Sequence, residues 1–250
     1  MALVGGVAVA QSGTKVAEVL RPRIELRTTQ GDVVIELDAE RTPLTAINFV
    51  QYVEEGFYDG LIFHRVAEGR LIQGGRYTQN FSPRTDGLHD PVAYEGAADL
   101  KNVRGTIAAF RELGNADSAQ AEFFINATDN PALDTNQHGP GYVVMGRVVD
   151  GMDVVDRIAA TPTTTHKNFA AGRLAQVPAD PVVIKSARLL TKFDRAAVEA
   201  HLEELKRRAE SERIDAENAA IRDLQAQEER IAREAGAPLT VRDSGLKYAD

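Results

Sequence analysis

The chain has 250 residues with 20 glycines and 10 prolines, and none of these falls between Asp194 and Ala235. That distribution constrains the fold more than any other feature. Gly interrupts regular backbone through its freedom at positive φ, Pro through its missing N–H. The stretch without them is rich in Ala, Glu, Arg and Leu. It predicts one long helix, stopped by Gly236 and Pro238. A helix over residues 194–235 would run roughly 63 Å. Val198, Leu202, Leu205 and Ala209, then Ile221, Leu224 and Ile231, have coiled-coil spacing, and Glu212 and Asp215 break the middle. Two readings stand: a solvated helix with internal ion pairs, or a weak homodimer through residues 194–235.

Upstream, Gly, Pro, Asn and Asp punctuate short apolar runs: Leu61–Phe63, Leu71–Ile72, Thr106–Phe110, Phe123–Ile125, Tyr142–Val149 and Val182–Leu190. Such spacing predicts antiparallel β structure rather than alternating βα units. Ile24, Leu26 and Thr28 alternate with polar residues, as do Val33, Ile35 and Leu37, and Gln30-Gly31-Asp32 supplies a turn between them. A helix follows, capped by Thr42, with Pro43 at its first position and Gly56 at its end. Its expected buried stripe is Leu44, Ile47, Val50 and Val53, with Phe49 nearby. A second short helix is expected over 152–158. The reading is mainly β with two helices over residues 23–192, a helix over 193–236 and a tail over 237–250.

Composition excludes several chemistries. The absence of Cys removes disulfides, thiolate metal sites and a Cys nucleophile. The five His residues form no H-E-x-x-H and no i, i+4 pair, so no metal is expected. Neither a G-x-S-x-G elbow nor a P-loop occurs. A net charge of −8 argues against nucleic acid, and no apolar run is long enough for a membrane span.

The informative stretches come in a fixed order. Phe63-His64-Arg65-Val66 precedes Gln73-Gly74-Gly75; Gly105 to Arg111 reads GTIAAFR; Ser118 to Asn126 reads SAQAEFFIN. These resemble signatures of the cyclophilin-type peptidyl-prolyl cis-trans isomerases, F-H-R-V followed by Q-G-G, G-T-I-A-M-A-R and S-x-x-S-Q-F-F-I-N. The likeness continues through Leu133-Asp134, Gly141-Tyr142-Val143-Val144, Gly146-Arg147-Val148-Val149 and Gly151 to Val155. It is nearest to the bacterial, often exported, branch. The resemblance implies a closed eight-stranded antiparallel barrel capped by two helices, no cofactor, and proline-containing polypeptides as substrates. It assigns Arg65 as the catalytic donor and Gln73 as the amide that holds substrate backbone. Phe124, Leu133 and Leu71 become walls of the proline pocket, Tyr142 stands where many relatives have His or Tyr, and Arg111 stands where the family binds substrate through main-chain atoms, so that its side chain matters less. Phe63 and Phe123 are expected in the core, because neighbours on a strand point to opposite faces.

Four positions depart from the family pattern. Arg70 stands where a pocket Phe is usual, Phe110 where a small Ala is, Glu122 where Gln is, and Ala132 where an aromatic is. Arg70 and Glu122 are expected to pair, with Phe110 refilling lost volume. An altered pocket leaves a second reading open, a non-catalytic peptide-binding or chaperone module. Ala8-Val9-Ala10 within residues 1–22 resembles a signal-peptidase site, or else a flexible terminus. The first reading expects a periplasmic or exported protein, the second leaves it cytoplasmic. Ser244-Gly245-Leu246-Lys247-Tyr248 resembles the opening of an FKBP-type isomerase domain, or else an ordinary tail.

Overall fold

In the computed structural model, the hairpin forms where alternation places it, with β1 over Arg23–Thr28 and β2 over Gly31–Leu37. Their inward residues, Ile24, Leu26, Val33, Ile35 and Leu37, are fully buried. The structure describes residues 19–97, 99–135, 139–169, 172–234, 239–241 and 247–249. Ala8-Val9-Ala10 and Ser244–Leu246 lie outside them, whereas Lys247 and Tyr248 fall in a short strand.

The remaining elements are α1 (Pro43–Glu54), β3 (Arg65–Ala67), β4 (Leu71–Gly74), β5 (Thr106–Ala109), β6 (Phe123–Asn126), β7 (Val144–Asp150), α2 (Met152–Ala159), β8 (Thr163–Phe169), β9 (Gly172–Pro178), β10 (Ile184–Leu189), α3 (Arg195–Glu234), β11 (Leu239–Val241) and β12 (Lys247–Ala249). Eight strands form one antiparallel sheet in the order β10-β1-β2-β7-β5-β6-β4-β3. The sheet is an open half-barrel, which corrects the closed barrel expected from sequence. The reason lies at Leu61–Phe63, expected as a strand. It makes only single bridges, Leu61 to Thr78 and Ile62 to Val183. Hydrogen bonds from Phe63 N to the Val182 carbonyl (2.9 Å) and from Ile184 N to the Leu61 carbonyl (2.8 Å) cross the gap without building a ladder.

Helix α1 packs on β10, and α2 packs on β2, β3 and β4. The buried face of α1 differs from the expected stripe: Ala46, Phe49, Val50, Tyr52 and Val53 are buried, and Leu44 and Ile47 only partly. Thr42 stands at the N-cap, yet its hydroxyl donates to the Asp38 carbonyl (3.0 Å) instead of capping. The carboxylate of Glu95 does the capping, accepting from the N–H groups of Leu44 (3.1 Å) and Thr45 (2.5 Å). A carboxylate is favoured there by the helix dipole.

The chain divides into two compact units, Met1–His201 and Leu202–Asp250. The first turns of α3 belong with the first unit: Val198 is fully buried in the core and His201 Nε2 lies 2.8 Å from the Glu40 carbonyl. Asp194 caps the helix through its bond from Ala197 N (3.1 Å). Farther along α3, ion pairs such as Arg208–Glu204 and Arg213–Glu210 stud the surface, while Ile214, Ile221, Leu224 and Ile231 are exposed.

Candidate active site

Strand register builds the site. Arg65 of β3 stands opposite Gln73 of β4, Gln73 opposite Phe124 of β6, and Phe124 opposite Ala108 of β5. Directly opposed residues share a face of the sheet, so these four form one row across four strands. Leu71 lies two residues before Gln73 and joins the same face. The alternate residues Val66, Ile72, Phe123, Ile125 and Ile107 point into the main core. Phe63 and Phe123, expected as core, are both fully buried there.

The row has a polar end and an apolar end. At the polar end, Arg65 Nη1 donates to Gln73 Oε1 (3.0 Å), and Gln73 Nε2 donates to Glu122 Oε1 (2.6 Å). The same oxygen lies 3.0 Å from His64 Nε2, and Arg76 Nη1 lies 3.7 Å from Glu122 Oε2. Gln73 is 4% exposed and His64 2%, so these bonds are shielded from water. The chain leaves β4 through Gly75 at φ 90°, where a Cβ would stand 2.6 Å from the Ala121 carbonyl oxygen. Only glycine lets β4 run this close to the residues before β6, which brings Gln73 onto Glu122. An open hollow of about 300 Å³ sits here, lined by His64, Arg65, Gln73, Arg76, Tyr77, Phe110, Glu112 and Glu122.

At the apolar end, Ala67, Leu71, Ala108, Phe124 and Val144 form a cluster apart from the main core, with Leu100, Phe110, Leu133 and Tyr142 packed against it. The Tyr142 ring stacks on Phe110 (5.7 Å, 22°) and meets Phe124 edge-on (5.3 Å, 89°). Loop ties fix this wall. Leu133 ends a 3-10 turn, and its carbonyl accepts from Tyr142 N at 2.9 Å. Asn126, fully buried, donates to Thr106 Oγ1 (2.9 Å) and Asn102 Oδ1 (3.2 Å) and accepts from Asn130 (2.8 Å). Asn102 in turn holds the Leu133 carbonyl and the Asp134 carboxylate.

Arg65, Gln73, Phe124, Leu71, Leu133, Tyr142, Phe110 and Glu122 thus converge. Arg111 and Arg70 do not reach the groove with their side chains. Arg111 donates to the carbonyls of Gly141 (3.1 Å), Pro140 and Glu112 (3.0 Å), with its guanidinium 5.2 Å from the Tyr142 ring centre. It braces the 140–142 loop from behind. Arg70 lies exposed on the turn before β4, and its Nε donates to Asn130 Oδ1 at 3.3 Å. The expected pairing of Arg70 with Glu122 is therefore wrong: Glu122 is held by Gln73, His64 and Arg76 instead. Sequence reasoning missed His64 as a partner, because it weighed the histidines only as metal ligands. It also missed Asn126, where a polar residue directly following the apolar run Phe123–Ile125 was the available signal, and Asn102, which sits beside Lys101 and carries no such signal.

The family model for cyclophilin type peptidyl-prolyl cis-trans isomerase/CLD matches residues 23–189. Peptidyl-prolyl cis-trans isomerase A of Dickeya dadantii is 40% identical over 167 residues, covering 67% of this chain and 84% of that protein. Peptidyl-prolyl cis-trans isomerase B of Escherichia coli is 39% identical over 166 residues, covering 65% and 96%. Among solved structures, a Cryptosporidium parvum cyclophilin-type isomerase superposes with a TM-score of 0.55 at 21% identity, over 69% of this chain and 99% of that one, a likeness of fold. The order of the motifs, the sheet row that unites them and these matches agree: the chain belongs to the cyclophilin-type peptidyl-prolyl cis-trans isomerase family.

Proposed function

We propose that the chain isomerises X-Pro bonds in flexible polypeptides through the Arg65–Gln73–Phe124 row. An X-Pro amide resists rotation because the nitrogen lone pair is delocalised into the carbonyl, with a barrier of about 18–20 kcal/mol. Twisting the bond localises that pair on nitrogen. A catalyst for this step needs a donor aimed at the nitrogen, a grip on the backbone and a dry recess for the ring. Arg65 supplies the donor: its side chain is held at Nη1 by Gln73, and a guanidinium has further N–H groups to offer. Gln73 grips substrate backbone with the amide hydrogen that Glu122 does not take. Phe124, Leu71, Leu133, Phe110 and Tyr142 form the recess. The observation that carries this reading is the register itself, which sets a guanidinium and an apolar recess on one sheet face.

The test is Arg65→Ala, assayed by protease-coupled or NMR exchange on an Ala-Pro peptide. The kcat/KM is expected to fall about 10²–10³-fold, the usual worth of one donor to transition-state charge. Parent-like turnover would remove Arg65 from the role of donor.

Help in protein folding and export from the cytoplasm are part of the proposal, the second resting on Ala8-Val9-Ala10 alone. Weak self-association through α3 is supported by Ile214, Ile221, Leu224 and Ile231, which are 44–58% exposed at heptad spacing. Sedimentation over a range of concentrations decides it, and a parent that stays monomeric throughout ends the idea.

A further inference from the structure

Strands β8 (Thr163–Phe169) and β9 (Gly172–Pro178) pair with each other as a hairpin and, among the described residues, with no strand of the main sheet. We propose that this hairpin is part of the active site, and that Gln176 is a positioning residue that holds the Arg65 guanidinium in its working orientation. The inference rests on the reading of Arg65 as the donor.

Arg65 lies on β3, the last strand of the sheet, so one side of it has no ladder partner to fix a long side chain. Gln73 reaches it from β4. The second anchor comes from the hairpin: Gln176 Oε1 accepts from Arg65 Nε at 3.0 Å. The guanidinium is then gripped at Nε and Nη1, which leaves Nη2 as the amino group without a partner among the described residues. A planar fork held at two corners cannot swing, and its remaining donors point in one direction.

The backbone is shaped for this contact. Gln176 has φ 64°, one of two non-glycine residues with positive φ among the described residues. That conformation is costly for a side chain with a Cβ and persists only where the surroundings impose it. The hairpin register explains how: Thr164 pairs with Val177 and His166 with Leu174, so β9 carries one extra residue between those pairs. A bulge of this kind leaves a residue unpaired and re-aims its side chain. Here it turns Gln176 out of the ladder and onto Arg65. The adjoining Val177 is 1% exposed and packs with Ile62 and Tyr77, which anchors the bulge on the half-barrel. The His166 ring lies 3.8 Å from that of Phe81, pinning the opposite strand.

The experiment uses the full chain and four variants: Gln176→Gly, Gln176→Glu, Arg65→Ala and the double variant Arg65→Ala/Gln176→Gly. Gly removes the acceptor while suiting the positive φ, so the hairpin keeps its path. Glu keeps an acceptor at the same reach. Gln176→Gly is expected to lower kcat about tenfold on an Ala-Pro peptide with KM little changed, in line with the loss of one bond to a charged group. Gln176→Glu is expected to retain activity within about twofold, since it still accepts from Nε. In the Arg65→Ala background the Gly substitution should have no further effect. The Arg65 Nε–H, followed by ¹⁵N NMR, should exchange with water faster in Gln176→Gly and remain protected in Gln176→Glu. Multiplicative losses in the double variant, or an Nε–H unchanged by Gln176→Gly, would overturn the positioning role while leaving Arg65 as donor. Parent-like activity of Arg65→Ala alone would overturn the underlying reading and this inference with it.

Discussion

The two ends of the groove are built by different physics. At the polar end, His64, Arg65, Gln73 and Glu122 are joined by directional bonds of 2.6–3.0 Å. At the apolar end, Phe124, Leu71, Leu133, Phe110 and Tyr142 hold one another by contact, and Phe124 is itself 2% exposed. One end is orientation, the other is volume. Substitutions at the first should change rate without stability, and substitutions at the second should change both.

The hardest test of that contrast is Phe124→Ala. Removing a buried aromatic typically costs about 3–5 kcal/mol. The melting temperature and kcat/KM are expected to fall together, and an unchanged melting temperature would break the contrast. Arg65→Ala is the counterpart: its loss of about 2.7–4 kcal/mol should appear in kcat/KM alone, with thermal unfolding like the parent. Arg111→Ala sits between the two. It leaves the Gly141 and Pro140 carbonyls without their donor, a cost of about 1–3 kcal/mol. Calorimetry should show lowered stability, and the loosened Tyr142 should raise KM more than it lowers kcat. Glu122→Gln removes charge but keeps an acceptor for Gln73 or His64. A charge-assisted bond exceeds a neutral one by about 1 kcal/mol, so a loss of several-fold in kcat/KM is expected, without a change in fold by circular dichroism.

The smallest effect comes from charges outside both ends. Burial pulls the Glu36 carboxyl upward, yet the bonds from Arg23 and Arg147 outweigh it and hold the group below the ordinary glutamate range. Asp59, beside Arg188 and the Ala187 N–H, is likewise lowered against its burial. A group with a depressed folded-state pKa lends stability above its unfolded value, and that stability drains away as pH falls through the carboxylate range. Thermal unfolding should therefore soften below about pH 4.5, and Glu36→Gln should flatten the slope slightly without altering kcat at neutral pH. A parent slope that survives in Glu36→Gln would place the acid sensitivity elsewhere.

What was legible in the sequence follows from what alternation and breakers record. The β1–β2 hairpin, α2 and the unbroken α3 stood where apolar period or absence of Gly and Pro placed them. The three-residue β3 did not, because its first residue is charged and it is too short to alternate. The β8–β9 hairpin did not either: Thr163-Thr164-Thr165-His166-Lys167-Asn168 offers no apolar face to read. The site residues could be named from the motifs, but their partners could not. Glu122 meets His64 and Gln73 through strand register, a fact of pairing between segments far apart in the chain. The cap on α1 likewise comes from Glu95, 50 residues away, where local reasoning pointed to Thr42.

The open sheet also bears on how the chain survives its own folding. A strand paired on one side only is a template for another extended chain, and proteins that leave one exposed tend to aggregate. Strand β3 is such a margin, with β4 on one flank and β9 lying against it without a ladder. Two features blunt it: it is three residues long, and the hairpin stands beside it. Until β8–β9 has closed, a partly folded molecule carries an unguarded seam next to Arg65. In the folded molecule the hairpin thus stands along the flank of β3 that no ladder pairs.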